Sequence, residues 1–188
     1  MDSFSSISGK LLVSLRSMRG DYFNKTVTLI IEHNEDGAFG LVVNRPIDAD
    51  LSELLVNQKE FDSSPEVIRE IPLLETGPVE QNRLFFLHGN DREFSYAKKI
   101  NDHVSCSTSS ELLTSILKGD GPADVIAGLG YAGWSAGQLE NEIKGDVWLV
   151  TPYVQEAVFK TPFEERPQIA AGAIGIELSL VAPTLGHG

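Results

Sequence analysis

The chain has 188 residues, 15 Lys and Arg against 27 Asp and Glu, a formal charge of −12, a pI of about 4.7 and a hydrophobic fraction of 41%. That length suits one domain of about 100–200 residues with apolar content enough for a core, which argues against intrinsic disorder. No stretch approaches the ~18 consecutive apolar residues of a membrane-spanning helix, and the negative charge opposes non-specific contact with a phosphate backbone.

Residues 9–15 read as a first strand, followed by a polar loop from Arg16 to Asn24 that contains Met18 and Phe23. The β-branched run Thr26–Ile31 is a strong strand signal, and its alternation places Val27, Leu29 and Ile31 on one face. Asp36-Gly37 is expected to turn the chain into a returning strand, Ala38–Val43, which Asn44-Arg45-Pro46 ends. A short helix is expected at 50–56 with Asp50 as its cap, and residues 57–71 read as surface loop. Leu73–Glu75 and Arg83–His88 read as strands broken by Gly77-Pro78, whereas 89–107 gives no clear assignment. Thr108 and Glu111 have the spacing of a capping box, with Leu112, Leu113, Ile116 and Leu117 at helical spacing and Gly119 as the stop. Val125–Tyr131 is a buried strand. Ser135 and Gln138 form a second capping box before Leu139 and Ile143, with Gly145 ending that helix. Val147–Val150 is a strand, 154–159 and 167–173 are short helical stretches, and the tail after Leu180 is expected to fray. Strands outnumber helices and the first ones pair by hairpins, so the fold class is α+β with a mostly antiparallel sheet.

The one cysteine, Cys106, cannot close an intramolecular disulfide, which fits a reducing cytoplasm. His103 is its only cationic neighbour in sequence, so an inert thiol is expected. Asp2 stands where a signal peptide carries positive charge, and Leu11-Leu12-Val13 is shorter than the ~7–15 residues of its apolar region. The expected location is therefore cytoplasmic.

No phosphate-cradling loop or dinucleotide fingerprint is present. Gly133–Gly137 carries the letters G-x-S-x-G around Ser135, but the only later histidine is His187, in the tail. Helix capping explains Ser135 with fewer assumptions. Side chains alternate along a strand, so Glu32 and Asn34 share one face and His33 takes the other. A metal at His33 would need distant ligands such as His88 or Glu140, and no His or Cys pair supports one; a solvated turn is the simpler reading. Arg45 either binds an anionic group or neutralises Glu32 or Glu140 in an acidic protein. Tyr131 and Trp134, set among Gly130 and Gly133, read as core anchors beside glycines that allow a tight turn or close backbone approach. On a helix Gln138 and Glu142 share a face, and Glu140 points away from them.

Taken in order, Thr26–Asn34, Gly37–Pro46, Gly77-Pro78-Val79, Gly130–Trp134 and Gly137–Glu140 make the chain resemble the bacterial YqgE/AlgH family of uncharacterised proteins, from about Gly9 to the C-terminus. It departs at Thr76, where the family usually has glycine, at Arg16, where proline is common, and near 163–168, where a tryptophan is missing. The resemblance implies an α+β fold whose mostly antiparallel, bifurcated sheet is bent into a pseudo-barrel with peripheral helices. It implies no established enzymatic activity and no cofactor. One family name implies a transcriptional regulator, but no basic recognition helix is present and the charge opposes direct DNA binding.

The expectation is one domain over 1–188 that acts as a binding or regulatory module through protein or small-ligand contacts. It has no metal, cofactor, membrane or direct nucleic-acid partner. The alternatives are the transcriptional regulator and a hydrolase-like or metal-assisted enzyme using Glu32, His33, Arg45 and Glu140. The candidate surface is Glu32, His33, Asn34, Asn44, Arg45, Tyr131, Trp134, Gln138 and Glu140.

Overall fold

The computed structural model describes residues 5–15, 22–49, 51–55 and 71–181. The Asp50 cap, the polar stretch from 57 to 70, Arg16 and Met18 in the first loop, Asp2, and the tail with His187 lie outside the described residues. In chain order the elements are β1 (Leu11–Ser14), β2 (Val27–Asn34), β3 (Gly37–Val42), α1 (Leu51–Leu55), β4 (Leu73–Glu75), β5 (Val79–Gly89), β6 (Lys98–Lys99), β7 (Val104–Ser107), α2 (Ser110–Leu117), β8 (Val125–Ser135), α3 (Gln138–Lys144), β9 (Trp148–Thr151) and α4 (Arg166–Gly172). A π-helical turn at Glu156–Lys160 precedes α4, and a 3-10 turn at Leu178–Leu180 follows it.

The class is α+β: the strands pair antiparallel except β4, which runs parallel to β8. The chain divides into two compact units, residues 1–44 with 132–188 and residues 45–131. β8 passes through both and changes partners on the way. Its residues 127–129 pair with β4, 125–131 with β5, and 132–135 with β3, and this fork is the bifurcation of the sheet.

In the first unit the order is β3-β2-β1-β9, with the end of β8 beside β3. Leu12, Ile30, Ala132, Trp134 and Trp148 cover one face and pack with Leu139 of α3. Leu11, Val13, Val27, Leu29 and Leu41 on the other face are buried, and α4 packs on β1, β2 and β9. Burying both faces explains why Leu29, Ile30 and Ile31 follow one another in β2 with no polar residue between them. Arg166 at the start of α4 is 3% exposed. It donates to the carbonyls of Val43 and Val158 at 2.6 Å and of Thr161 at 2.8 Å, with its guanidinium 4.3 Å from the centre of the Phe163 ring. Burial lowers its pKa to about 10, so it stays a cation at neutral pH.

In the second unit the order is β6-β7-β5-β8. Leu51 and Leu55 of α1 and Leu112, Leu113 and Ile116 of α2 meet Leu73, Phe86 and Ala127 in its core. Thr76 lies over Gly128, where an added Cβ would come within 2.2 Å of the threonine methyl, and its hydroxyl donates to the Gly130 carbonyl. Thr76 therefore fills the space that the missing Gly128 side chain leaves.

Several local expectations shift. Asn34 pairs with Gly37, so the turn is Glu35-Asp36 and Gly37 already belongs to β3. Its glycine is required by the neighbouring strand: at φ +139° an added Cβ would stand 2.2 Å from the Trp134 carbonyl. Ile30 pairs with Gly40 and Glu32 with Phe39, which leaves Ile31 as an extra residue, a β-bulge. The bulge moves His33 onto the face of Ile30 rather than that of Leu29. The cap of α2 is Ser109, whose Oγ accepts from the Glu111 N–H at 3.1 Å, not Thr108. The cap of α3 is Gly137 at φ +73°, not Ser135. There the bond runs the other way, with the Ser135 N–H and hydroxyl donating to Gln138 Oε1. The segment Gly130–Trp134 is strand rather than turn, and Gly130, at φ +77°, lets the Gly77 carbonyl approach. The unassigned stretch 89–107 holds β6 and β7.

Candidate functional site

The hairpin end and α3 meet in the first unit through a buried histidine. His33 pairs with Ala38, which pairs with Trp134, so the three side chains form a row across β2, β3 and β8. His33 is 6% exposed. Its Nδ1 accepts from the Ile7 N–H at 3.1 Å, which assigns the ring proton to Nε2, 3.2 Å from Glu140 Oε1. The Ser6 hydroxyl donates to the His33 carbonyl at 2.7 Å and the Ser8 hydroxyl to that of Ile31 at 2.9 Å. The segment before β1 thus ties down the bulge and one edge of the imidazole, while α3 holds the other.

Beside this pair, Glu142 collects three donors. Trp134 Nε1 and Trp148 Nε1 each donate to its Oε2 at 2.8 Å, and Gln138 Nε2 donates to its Oε1 at 2.9 Å. The two indoles meet edge to face, with Phe23 stacked on Trp134 and edge-on to Trp148. A buried indole N–H needs an acceptor, and two tryptophans near one acidic helix are the sequence signal that could have promoted Glu142 into the candidate set. The expected shared face of Gln138 and Glu142 is present.

Glu32 and Asn34 are exposed on one face of the hairpin, with the Asn34 amide donating to Glu32 at 3.3 Å. The Asp36 N–H closes the turn onto Asn34 Oδ1 at 2.9 Å. Asn44 lies at the opposite end of β2, where its side chain accepts from the Val27 N–H and donates to the Lys25 carbonyl. Arg45 and Tyr131 belong to the second unit. The Arg45 carbonyl accepts from Glu75, and Tyr131 pairs with Val79 and sets its ring against Phe85. In the first unit, then, His33 bonds Glu140, and Trp134 and Gln138 share Glu142, whereas Glu32 and Asn34 bond each other on the opposite face of the hairpin.

Among the described residues no group of three or more His, Cys, Asp or Glu is placed to hold a metal ion. Cys106 lies inside β7, where burial pushes its thiol up to about 12, so it supplies no thiolate at neutral pH. No described helix is long and apolar enough to cross a membrane. Around β6, Lys99 bonds Asp102 at 2.8 Å and Arg92 lies 3.8 Å from Asp120.

These features define an α+β protein whose forked antiparallel sheet carries a polar cluster between a hairpin end and a short helix. A family model described as AlgH-like matches residues 11–179, and the chain belongs to that family. It is 37% identical over 176 residues to a UPF0301 protein of Nitrosospira multiformis, covering 94% of each chain. With a UPF0301 protein of Xanthomonas campestris it shares 38% identity over 181 residues, 96% of each chain. The solution structure of the AlgH protein from Pseudomonas aeruginosa is similar over the whole of both chains, at 36% identity and a TM-score of 0.78. A Corynebacterium diphtheriae protein at 19% identity, with a TM-score of 0.73 over 97% of this chain and 95% of its own, shares the fold.

Proposed function

We propose that the chain is a binding module for a protein partner of basic character, engaged through the hairpin end and the start of α3. One observation carries this reading: the chemically capable groups of the cluster are spent on each other. Both His33 nitrogens are engaged, and Glu142 holds two indoles and an amide. General acid–base work needs a proton-transfer atom within reach of a substrate. What the surface presents instead is Glu32, Asn34, Glu35 and Asp36 at the hairpin end and Gln138 at the start of α3, all exposed. An acidic rim on a chain of charge −12 favours a basic partner and steers its approach. A regulatory role then runs through that partner, in the cytoplasm, without direct contact with nucleic acid. That one family model runs through both units supports reading them as parts of one domain.

A photo-cross-linking residue at Glu35, in cells of the native host, tests this. A discrete adduct is expected that disappears when Glu32 and Asp36 are both changed to Lys, with no such adduct from the same probe at Glu111. An adduct that survives the charge reversal, or none at all, defeats the reading. A hydrolytic turnover abolished by His33→Gln in a folded protein would favour the enzyme instead.

A further inference from the structure

We infer that residues 5–8 form a pH-sensitive strap: the unprotonated Nδ1 of His33 holds it against β2, and acid releases it to uncover the outer edge of that strand. The strap is short and lightly held. Ser5, Ser6 and Ser8 are exposed, and Ile7 is half-buried against the core cluster that contains Trp134 and Leu139. Its only backbone N–H bonded to β2 is that of Ile7, on the imidazole. The Ile31 and His33 carbonyls accept from the Ser8 and Ser6 hydroxyls, where a paired strand would offer backbone N–H groups. Regular pairing begins only after the strap, with the Gly9 N–H on the Ile30 carbonyl at 2.8 Å.

The chemistry of the imidazole makes the Ile7 bond conditional. A backbone N–H only donates, so Nδ1, at 3.1 Å from it, must present a lone pair. The ring proton is on Nε2, toward Glu140 Oε1 at 3.2 Å. A second proton can go only to Nδ1, and an imidazolium donates from both nitrogens. Two N–H groups cannot face each other at that distance, so the docked strap and a protonated ring exclude one another. With the strap in place the side chain is 2% exposed. Short segments near a chain end open locally at small free-energy cost, and the opening that moves Ile7 away uncovers Nδ1. The added proton then binds only the open form and draws the equilibrium toward it by mass action.

The described charges around the ring act in the same direction. From α3, Glu140 faces Nε2 and pairs better with an imidazolium than with a neutral ring. Glu142, on the same helix, is engaged by Trp134, Trp148 and Gln138. β3 and β8 place the uncharged Ala38 and Trp134 beside His33. On the hairpin itself, Glu32 lies on the opposite face of β2, and Glu35 and Asp36 stand exposed at the turn. The strap carries no charged side chain, and Lys10 follows it, exposed. The strap is therefore secure where a freed imidazole is neutral, and loosens as pH falls through the ordinary histidine range at about 6.5. Its departure vacates the Ile31 and His33 carbonyls on the edge of β2, beside the acidic hairpin end.

The test is amide hydrogen exchange on the full-length protein labelled with nitrogen-15, from about pH 7.5 to about pH 5, with each rate divided by its unstructured-peptide value at that pH. Protection of the Ile7 amide should fall about tenfold per pH unit once the ring titrates, in step with the His33 Nδ1 resonance. The Val43 amide, which donates to the Val27 carbonyl at 2.8 Å inside the sheet, should keep its protection. His33→Gln has an amide oxygen that accepts from Ile7 and does not titrate, so Ile7 protection should stay level across the range. Glu140→Gln, which keeps an acceptor for Nε2 but loses the charge, should move the release to lower pH. An Ile7 amide still protected after Nδ1 has taken up its proton overturns the inference. So does a loss of protection that Val43 shares equally, or a ring that stays neutral with the strap down throughout the range. If the histidine variant does not fold, the comparison of Ile7 with Nδ1 in the unaltered protein decides alone.

Discussion

Glu142 shows how a single carboxylate can set a local structure. It is the acceptor for two buried indoles and an amide, so its removal leaves Trp134 and Trp148 with unmet donors. Glu142→Ala should cost roughly 2–4 kcal/mol, read by urea unfolding, and should shift tryptophan emission as the indoles lose their partner. Glu142→Gln should cost less, because its amide oxygen still accepts. His88 acts in the opposite sense. Desolvation lowers its pKa below the ordinary 6.5, against the opposing effects of the Gly89 hydrogen bond and the Asp91 charge. Below pH 6.5 the unfolded chain takes up a proton that the folded one resists, so its contribution is full above that pH and is lost as pH falls toward the depressed value. Unfolding curves between about pH 7.5 and 5.5 should show stability falling on acidification, with a shallower fall in His88→Gln. Local spacing made the Gln138–Glu142 pairing legible. The His33–Glu140 bond was not, because its partners are 107 positions apart and only the pairing of β2, β3 and β8 brings them together.

At the scale of elements, the β2–β3 hairpin bears the most weight in the first unit. Leu29 is fully buried on the face opposite α3, and Leu29→Ala should cost roughly 2–5 kcal/mol by chemical denaturation; a loss under about half a kcal/mol would contradict its place in the core. Apolar periodicity was enough to locate this hairpin, β9 and the helices α2 and α3. It could not reveal the bulge at Ile31, since one extra residue in a strand apolar on both faces leaves no break in the pattern. Nor could it show that β8 runs on through Gly130 and Gly133. Those glycines read as a turn, yet Gly130 answers the approach of a backbone from elsewhere in the second unit. β7 was missed because Val104–Ser107 is buried while mostly polar or small, its hydroxyls satisfied by neighbours that sequence does not show.

For the whole molecule, charge makes the plainest forecast. At −12, with Lys99 paired to Asp102 and Arg92 near Asp120, the chain should show no sub-micromolar affinity for duplex DNA at physiological salt in an anisotropy titration. Tight binding that weakens as salt rises would show that a local basic patch overrides the global field.

The order of strands in the first unit also bears on how the protein is made. β1 lies between β2 and β9, with Leu11 opposite Thr151, so the start of the chain waits for a strand near its end. Residues 45–131 leave the ribosome in the interval, and at about 5–20 residues per second that wait is on the order of ten seconds. During it, Leu11, Leu12 and Val13 have no β9 beside them and no α4 to cover them, and such an edge is what holdase chaperones recognise. Ribosome-arrested chains ending just after β8 should therefore cross-link a chaperone from Val13, and chains long enough to expose α4 should not. Equal cross-linking at both lengths would mean that the opening strand is sheltered by some other route during synthesis.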